Sequence, residues 1–87
     1  MVVSGFEWDD DNVFHIERHE FTPEEVEEVF AGDHKARRTR LKRYIALGET
    51  LDGRLALAVF RRLSGGRVRV ITARDMDASE RRLFRRK

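Results

Sequence analysis

The sequence predicts an α+β fold: an antiparallel sheet of about four strands packed by two N-terminal helices, with a short C-terminal helix. Three observations carry that expectation. Helix-start signatures crowd the first third of the chain, apolar residues alternate with period two from about residue 35 to residue 74, and a further capping signature opens the last stretch. Helices segregated from a meander of tightly joined strands make a sheet with helices on one face. The 87 residues form a single domain, 1–87, on this reading.

Each element has a local cause. Phe6-Glu7-Trp8 is a short strand candidate. Asp9, Asp10 and Asp11 follow, and each suits a helix N-terminus, where a side-chain oxygen meets free amides and negative charge meets the dipole. That first helix is expected to run through about Glu20. Asn12, Ile16 and His19 share one face, flanked by Val13 and His15, with Phe14 nearly opposite. Thr22, Pro23 and Glu25 combine a cap, a proline at the first helical position and a capping-box glutamate. Val26, Val29 and Phe30 form the apolar stripe of this second helix, and Gly32 ends it.

Period two then takes over. Lys35–Lys42 is a basic edge-strand candidate. Arg43–Thr50 and Arg54–Leu63 flank Leu51-Asp52-Gly53, a hairpin signal carrying Asp-Gly. Arg54–Leu63 is apolar on both faces near its middle, as a central strand is. Ser64-Gly65-Gly66 turns the chain. Arg67–Arg74 sets Val68, Val70 and Thr72 against Arg67, Arg69, Ile71 and Ala73. Asp77 and Glu80 box the start of a last helix containing Leu83 and Phe84, with Arg85, Arg86 and Lys87 at its negative end.

Charge is sorted by position. Residues 1–34 hold 11 of the 16 acidic side chains and one basic one, Arg18; residues 35–87 hold 17 of the 18 basic ones. Folding then sets a cationic surface against an anionic one. There is no cysteine, which excludes disulfides and thiolate metal sites and fits a reducing compartment. The opening residues turn acidic too soon for a secretory signal, and no apolar run reaches the roughly 20 residues of a membrane span. The expected location is the cytoplasm, with no membrane partner.

Arginines dominate the candidate chemistry. Lys35, Arg37, Arg38, Arg40, Lys42 and Arg43 lie close together, and Arg61, Arg62, Arg67, Arg69 and Arg74 follow on later strands. Guanidinium groups grip phosphate bidentately, so their convergence on a sheet makes a nucleic-acid footprint. The competing reading is a set of solvated or acid-paired surface charges. Asp11, His15 and His19 are spaced four apart, which on one helix suits zinc; a packed histidine at a boundary is the blander reading. A third role for these histidines is proton transfer.

Read together, the fragments resemble the BrnT toxin family. Phe6-Glu7-Trp8-Asp9, Asn12, His15, His19, Thr22-Pro23-Glu24-Glu25-Val26 and Val29-Phe30 are similar to its N-terminal signature. Arg43-Tyr44-Ile45-Ala46-Leu47-Gly48, Asp52-Gly53-Arg54 and Arg69-Val70-Ile71-Thr72-Ala73-Arg74 are similar to its strands, and Ser79-Glu80-Arg81-Arg82 to its final helix. Glu20 stands where the family commonly has glycine. The resemblance implies a RelE-like fold and an endoribonuclease toxin of a type II toxin–antitoxin system that cuts RNA without a metal or other cofactor. It implies neutralisation by a BrnA-like antitoxin with a ribbon-helix-helix domain, and contact with operator DNA only through that antitoxin. On that footing Arg74 and Arg61 are the expected stabilisers of charge on the phosphoryl oxygens, with His19, or secondarily His15, moving the proton. Lys35, Arg37, Arg38, Arg40, Lys42 and Arg43 are expected to bind RNA. A noncatalytic nucleic-acid- or protein-binding module acting in transcriptional autoregulation is the alternative. Phe14 and the acidic second helix are candidate antitoxin contacts, and the last helix is a candidate for displacement.

Overall fold

A computed structural model describes residues 1–86; Lys87, assigned above to the end of the last helix, lies outside the described residues. The chain runs β1 (Gly5–Phe6), α1 (Asp10–Glu17), α2 (Pro23–Ala31), β2 (His34–Arg38), β3 (Arg43–Glu49), β4 (Leu55–Arg62), a 3-10 turn (Ser64–Gly66), β5 (Arg67–Asp75) and α3 (Ala78–Arg85). The five strands form one sheet in the order β1-β5-β4-β3-β2. Strands β2 to β5 make the expected antiparallel meander, whereas β1 pairs parallel to β5, with Phe6 opposite Val68. The sheet is therefore mixed and five-stranded, a correction to the antiparallel sheet of about four strands. A two-residue strand has no alternation to read, and a parallel pairing formed across most of the chain has no turn to announce it.

The helices start where their caps say. Asp9 is the N-cap of α1, accepting from the amides of Asp11 and Asn12 at 3.0 and 3.2 Å, while Asn12 Oδ1 accepts from the Asp9 amide at 2.8 Å. Thr22 and Glu25 make the reciprocal box of α2, and Asp77 and Glu80 that of α3. Gly32 caps α2 in an extended conformation.

α1 stops at Glu17, short of the expected Glu20. The chain then turns through Glu20 in the left-handed region, at φ 62°. A side chain there costs about 1 kcal/mol, and glycine avoids that cost. Glu20→Gly is therefore expected to raise the melting temperature by about 4–8 °C for a chain of this size, read by thermal denaturation. An unchanged or lower midpoint would remove strain from the account of this turn.

β2 ends at Arg38, not Lys42, and the residues between form a tight turn. Thr39 N donates to Arg43 O at 2.7 Å and Arg43 N to Arg40 O at 3.2 Å. Leu41 and Lys42 both sit in the left-handed region, at φ 60° and 59°. Hairpins of this kind favour Asn-Gly, so Leu-Lys hid the turn inside what reads as a strand. Asp52-Gly53 behaves as expected: Gly53 takes φ 90°, and Thr50 N donates to Arg54 O at 2.9 Å.

Two apolar cores lie on opposite faces of the sheet. Ile16, Phe21, Val26, Val29 and Phe30 pack from α1, α2 and the link between them onto Ala46, Ala58, Phe60, Val68, Val70 and Ala73. On the other face Leu83 and Phe84 of α3 pack against Leu47, Leu57, Ile45, Leu55 and Val59, with Met76. The second face is thus half covered by α3, a correction to a sheet with helices on one side only. Gly48 allows the close approach of α2, since a Cβ there would lie 2.8 Å from Val29 Cγ1. A bulge also alters the expected alternation of β5. Val59 stands opposite Thr72 but Phe60 opposite Val70, so Ile71 is the extra residue. Ala73 consequently joins Val68 and Val70 in the core, while Thr72 and Arg74 turn to the α3 face.

Candidate nucleic-acid interface

Antiparallel register gathers bases at one end of the sheet. Arg37 and Arg38 finish β2, Arg40 and Lys42 occupy the turn, Arg43 begins β3, and Arg61 and Arg62 finish β4. Arg43 stands directly opposite Arg61, and Arg61 opposite Arg69 on β5, so three arginines form one row across neighbouring strands. The row shares the α3 face with Ile45, Leu47, Leu57 and Val59, as period-two alternation requires. Arg37, opposite Ile45, joins that face. Arg38 and Arg62 take the other face beside Tyr44, with the Arg62 guanidinium 5.7 Å from the Tyr44 ring centre.

Acids quench only part of this row. Arg69 donates to Asp9 at 2.8 Å and to Glu7 at 3.1 Å, and Arg67 lies 3.4 Å from Glu7. The Arg69 hydrogen bond holds the Asp9 carboxyl below the usual carboxylate range. Among the described residues, the ion pairs within 4.0 Å involve Arg54, Arg67, Arg69 and Arg74, and none reaches Arg37, Arg38, Arg40, Lys42, Arg43, Arg61 or Arg62. Like charges directly opposite on neighbouring strands repel. Among the described residues nothing compensates that repulsion at the Arg43–Arg61 pair, and an anion lying across it would relieve it.

The acidic helix does not neutralise the cluster. Glu25 completes the Thr22 cap, Glu27 accepts from Trp8 Nε1 at 2.8 Å, and Glu28 accepts from the Leu51 amide at 3.0 Å. Its one contact with an arginine is Glu25–Arg54 at 4.0 Å.

The other expected site residues lie elsewhere. Arg74 shares the α3 face but stands opposite Leu57, four residues from Arg61 along β4, or about 13 Å at strand rise. Its guanidinium makes a two-pronged pair with Glu80 of α3, both bonds 2.8 Å, and this holds the Glu80 carboxyl below its usual range. Lys35 Nζ donates to the Leu83 and Arg86 carbonyls at the end of α3. His15 is exposed on α1. His19 lies beyond the helix end, where its carbonyl accepts from Arg54 at 2.7 Å. Because α1 ends at Glu17, Asp11, His15 and His19 do not ride one helix as the spacing suggested. Among the described residues no group of three histidine or carboxylate side chains takes a metal-holding arrangement. His34 starts β2 opposite Gly48, at the far end from the arginine pair.

Two further residues, neither of them expected from the sequence to serve the site, bear on it. Leu41 projects from the turn at the cationic end and is 86% exposed. Asn12 is buried and donates to Glu7 O at 2.8 Å and Val70 O at 2.9 Å, fixing the acid-bearing segment that pairs with Arg69. An asparagine at a core position of a helix was the signal for the second.

Fold and register define a small α+β protein with arginines gathered at one end of its sheet. Residues 8–80 match the family model described as the ribonuclease toxin, BrnT, of type II toxin–antitoxin systems, and the chain belongs to that family. No curated protein matches it. Membership makes the substrate class RNA and gives the chain an antitoxin partner. No helix among the described residues is long and apolar enough to cross a membrane.

Proposed function

We infer that the chain cleaves RNA without a metal, at the sheet end where Arg43 faces Arg61. The observation that carries this is the pair itself: two guanidinium groups on adjacent strands, with Arg37 on the same face and, among the described residues, no carboxylate within ion-pair distance. In the reaction the ribose 2′-hydroxyl gives its proton to solvent water as its oxygen attacks the adjacent phosphorus, the bond to the 5′-oxygen breaks, and the departing 5′-oxygen takes a proton from water, so that a 2′,3′-cyclic phosphate and a 5′-hydroxyl end result. Negative charge builds on the non-bridging oxygens as the phosphorus becomes five-coordinate. Preorganised cations beside those oxygens lower the barrier. Arg61 and Arg43 take that role. Arg37, Arg38, Arg40, Lys42 and Arg62 track the flanking phosphates.

His19 lies beside Arg54 and His34 opposite Gly48, both toward the other end of the sheet, so charge stabilisation by the arginines carries the rate enhancement and protons exchange with solvent. Arg74 and Lys35 act by positioning α3. The antitoxin is of the BrnA type with a ribbon-helix-helix domain, through which the pair reaches operator DNA; the family match supports an antitoxin partner as such, and the acidic surfaces of α1 and α2 supply a face for a basic one. The setting is cytoplasmic.

The test is purified protein and total RNA in excess EDTA. Cleavage by the wild type, leaving cyclic phosphate ends, and its loss in Arg43→Gln is the expected result. Cleavage that appears only with added metal would overturn metal independence. RNA binding without cleavage under any condition would favour the binding module.

A further inference from the structure

We propose that Leu41 is an unstacking wedge, which inserts between neighbouring bases of the RNA and splays the nucleotides at the scissile phosphate. This rests on the reading that Arg43 and Arg61 grip that phosphate. The first observation is exposure: Leu41 is a large apolar side chain, 86% exposed, and of the two leucines so exposed, the other being Leu51 at 87%, it is the one set among the unpaired cations. The second is setting. It stands at the tip of the turn between β2 and β3, with Arg40 and Lys42 on either side, and the turn leads directly into Arg43. The third is strain. Leu41 and Lys42 both occupy the left-handed region, where neither side chain is favoured. Strained, exposed turns persist at sites where the side chain has work to do.

The reaction needs such a wedge. The attacking 2′-oxygen and the departing 5′-oxygen must line up on opposite sides of phosphorus. In a stacked strand the sugar is not turned that way, so the two nucleotides have to be pulled apart first. Apolar side chains inserted between base steps are a known way to unstack them, and their cost is repaid by contacts to the opened backbone. Here Arg40, Lys42, Arg43 and Arg61 supply those contacts around the leucine.

Leu41→Gly tests the wedge without threatening the fold, because glycine is at ease where leucine is strained. The probe is a 2′-O-methyl oligoribonucleotide, which cannot undergo the attack, carrying one 2-aminopurine whose fluorescence rises when it unstacks. With wild-type protein the fluorescence is expected to rise on binding. With Leu41→Gly the protein melts no lower, binds the probe within about threefold, and leaves the fluorescence flat; Leu41→Met restores the rise. Cleavage of stacked A-rich strands by Leu41→Gly falls by about tenfold or more, and that of weakly stacked U-rich strands by much less. If the variant brightens the probe and cleaves A-rich RNA as the wild type does, the wedge is overturned while the arginine site stands. An effect of the variant on antitoxin affinity alone has the same meaning. If Arg43→Gln and Arg61→Gln leave both binding and cleavage unchanged, the site reading fails and the wedge fails with it.

Discussion

Arg61→Gln is expected to slow RNA cleavage by about 10²-fold while the protein folds as before, by comparison with the loss of one preorganised donor from an oxyanion site. The side chain is exposed at the end of β4, makes no ion pair among the described residues, and stands opposite a second arginine. Removing one of two facing like charges relieves repulsion, so the melting temperature should hold or rise slightly. Glutamine keeps a neutral two-hydrogen donor on a shorter side chain and removes the charge and the guanidinium fork. The matched control is Arg62→Gln, one residue on, which faces the other side beside Tyr44. That change is expected to weaken binding evenly and reduce the salt slope by about 1, with little effect on the maximal rate. Single-turnover rates and the salt dependence of binding separate the two. Equal losses in both variants would mean that general cation density, and not the Arg43–Arg61 row, drives the chemistry. A melting midpoint that drops in Arg61→Gln would instead point to a structural task for this residue.

The same row shows where the sequence was legible and where it was not. Local signatures held: Thr22 with Glu25, Asp77 with Glu80, and Asp52-Gly53 each built the element they announced. Arg54–Leu63 reads as a central strand because both faces are apolar, and β4 is central. Local patterns could not show partition between faces. Arg37 and Arg38 are neighbours in the chain yet serve opposite sides of the sheet, and the bulge at Ile71 turns Arg74 to the α3 face. Nor could composition show which acids meet which bases. Glu7 and Asp9 precede Arg67 and Arg69 by some 60 positions and quench them only because β1 pairs with β5. Of the α2 glutamates, the obvious candidates by charge, Glu25 is spent on a cap, Glu27 on the Trp8 indole and Glu28 on a backbone amide. What remains cationic is set by subtraction, and subtraction needs the register.

Asn12→Ala should cost about 3 kcal/mol of stability, as much as truncating a large core side chain. The residue is 3% exposed and serves two structures at once. Its Oδ1 accepts from the Asp9 amide and closes the α1 cap, worth about 1 kcal/mol. Its Nδ2 donates to Val70 O at 2.9 Å and to Glu7 O at 2.8 Å. β1 is only two residues long, so no strand amide reaches the outer edge of β5 at Val70; the asparagine side chain continues the ladder in its place. Alanine leaves both carbonyls short of a donor, one of them buried, at about 1–3 kcal/mol for an unmet buried group. For a chain of 87 residues the sum corresponds to a fall of about 12 °C or more in melting temperature. Asp is the sharper comparison. Asn12→Asp keeps the cap acceptor but removes the two donors and sets a carboxylate against two carbonyls, so it should fall at least as far as alanine at neutral pH. It should recover part of the loss as the pH falls from neutral toward about 4, because burial beside two carbonyls favours the protonated carboxyl, which can donate. If alanine and aspartate both melt within about 3 °C of the wild type, the bond to Val70 is not what joins α1 to the sheet.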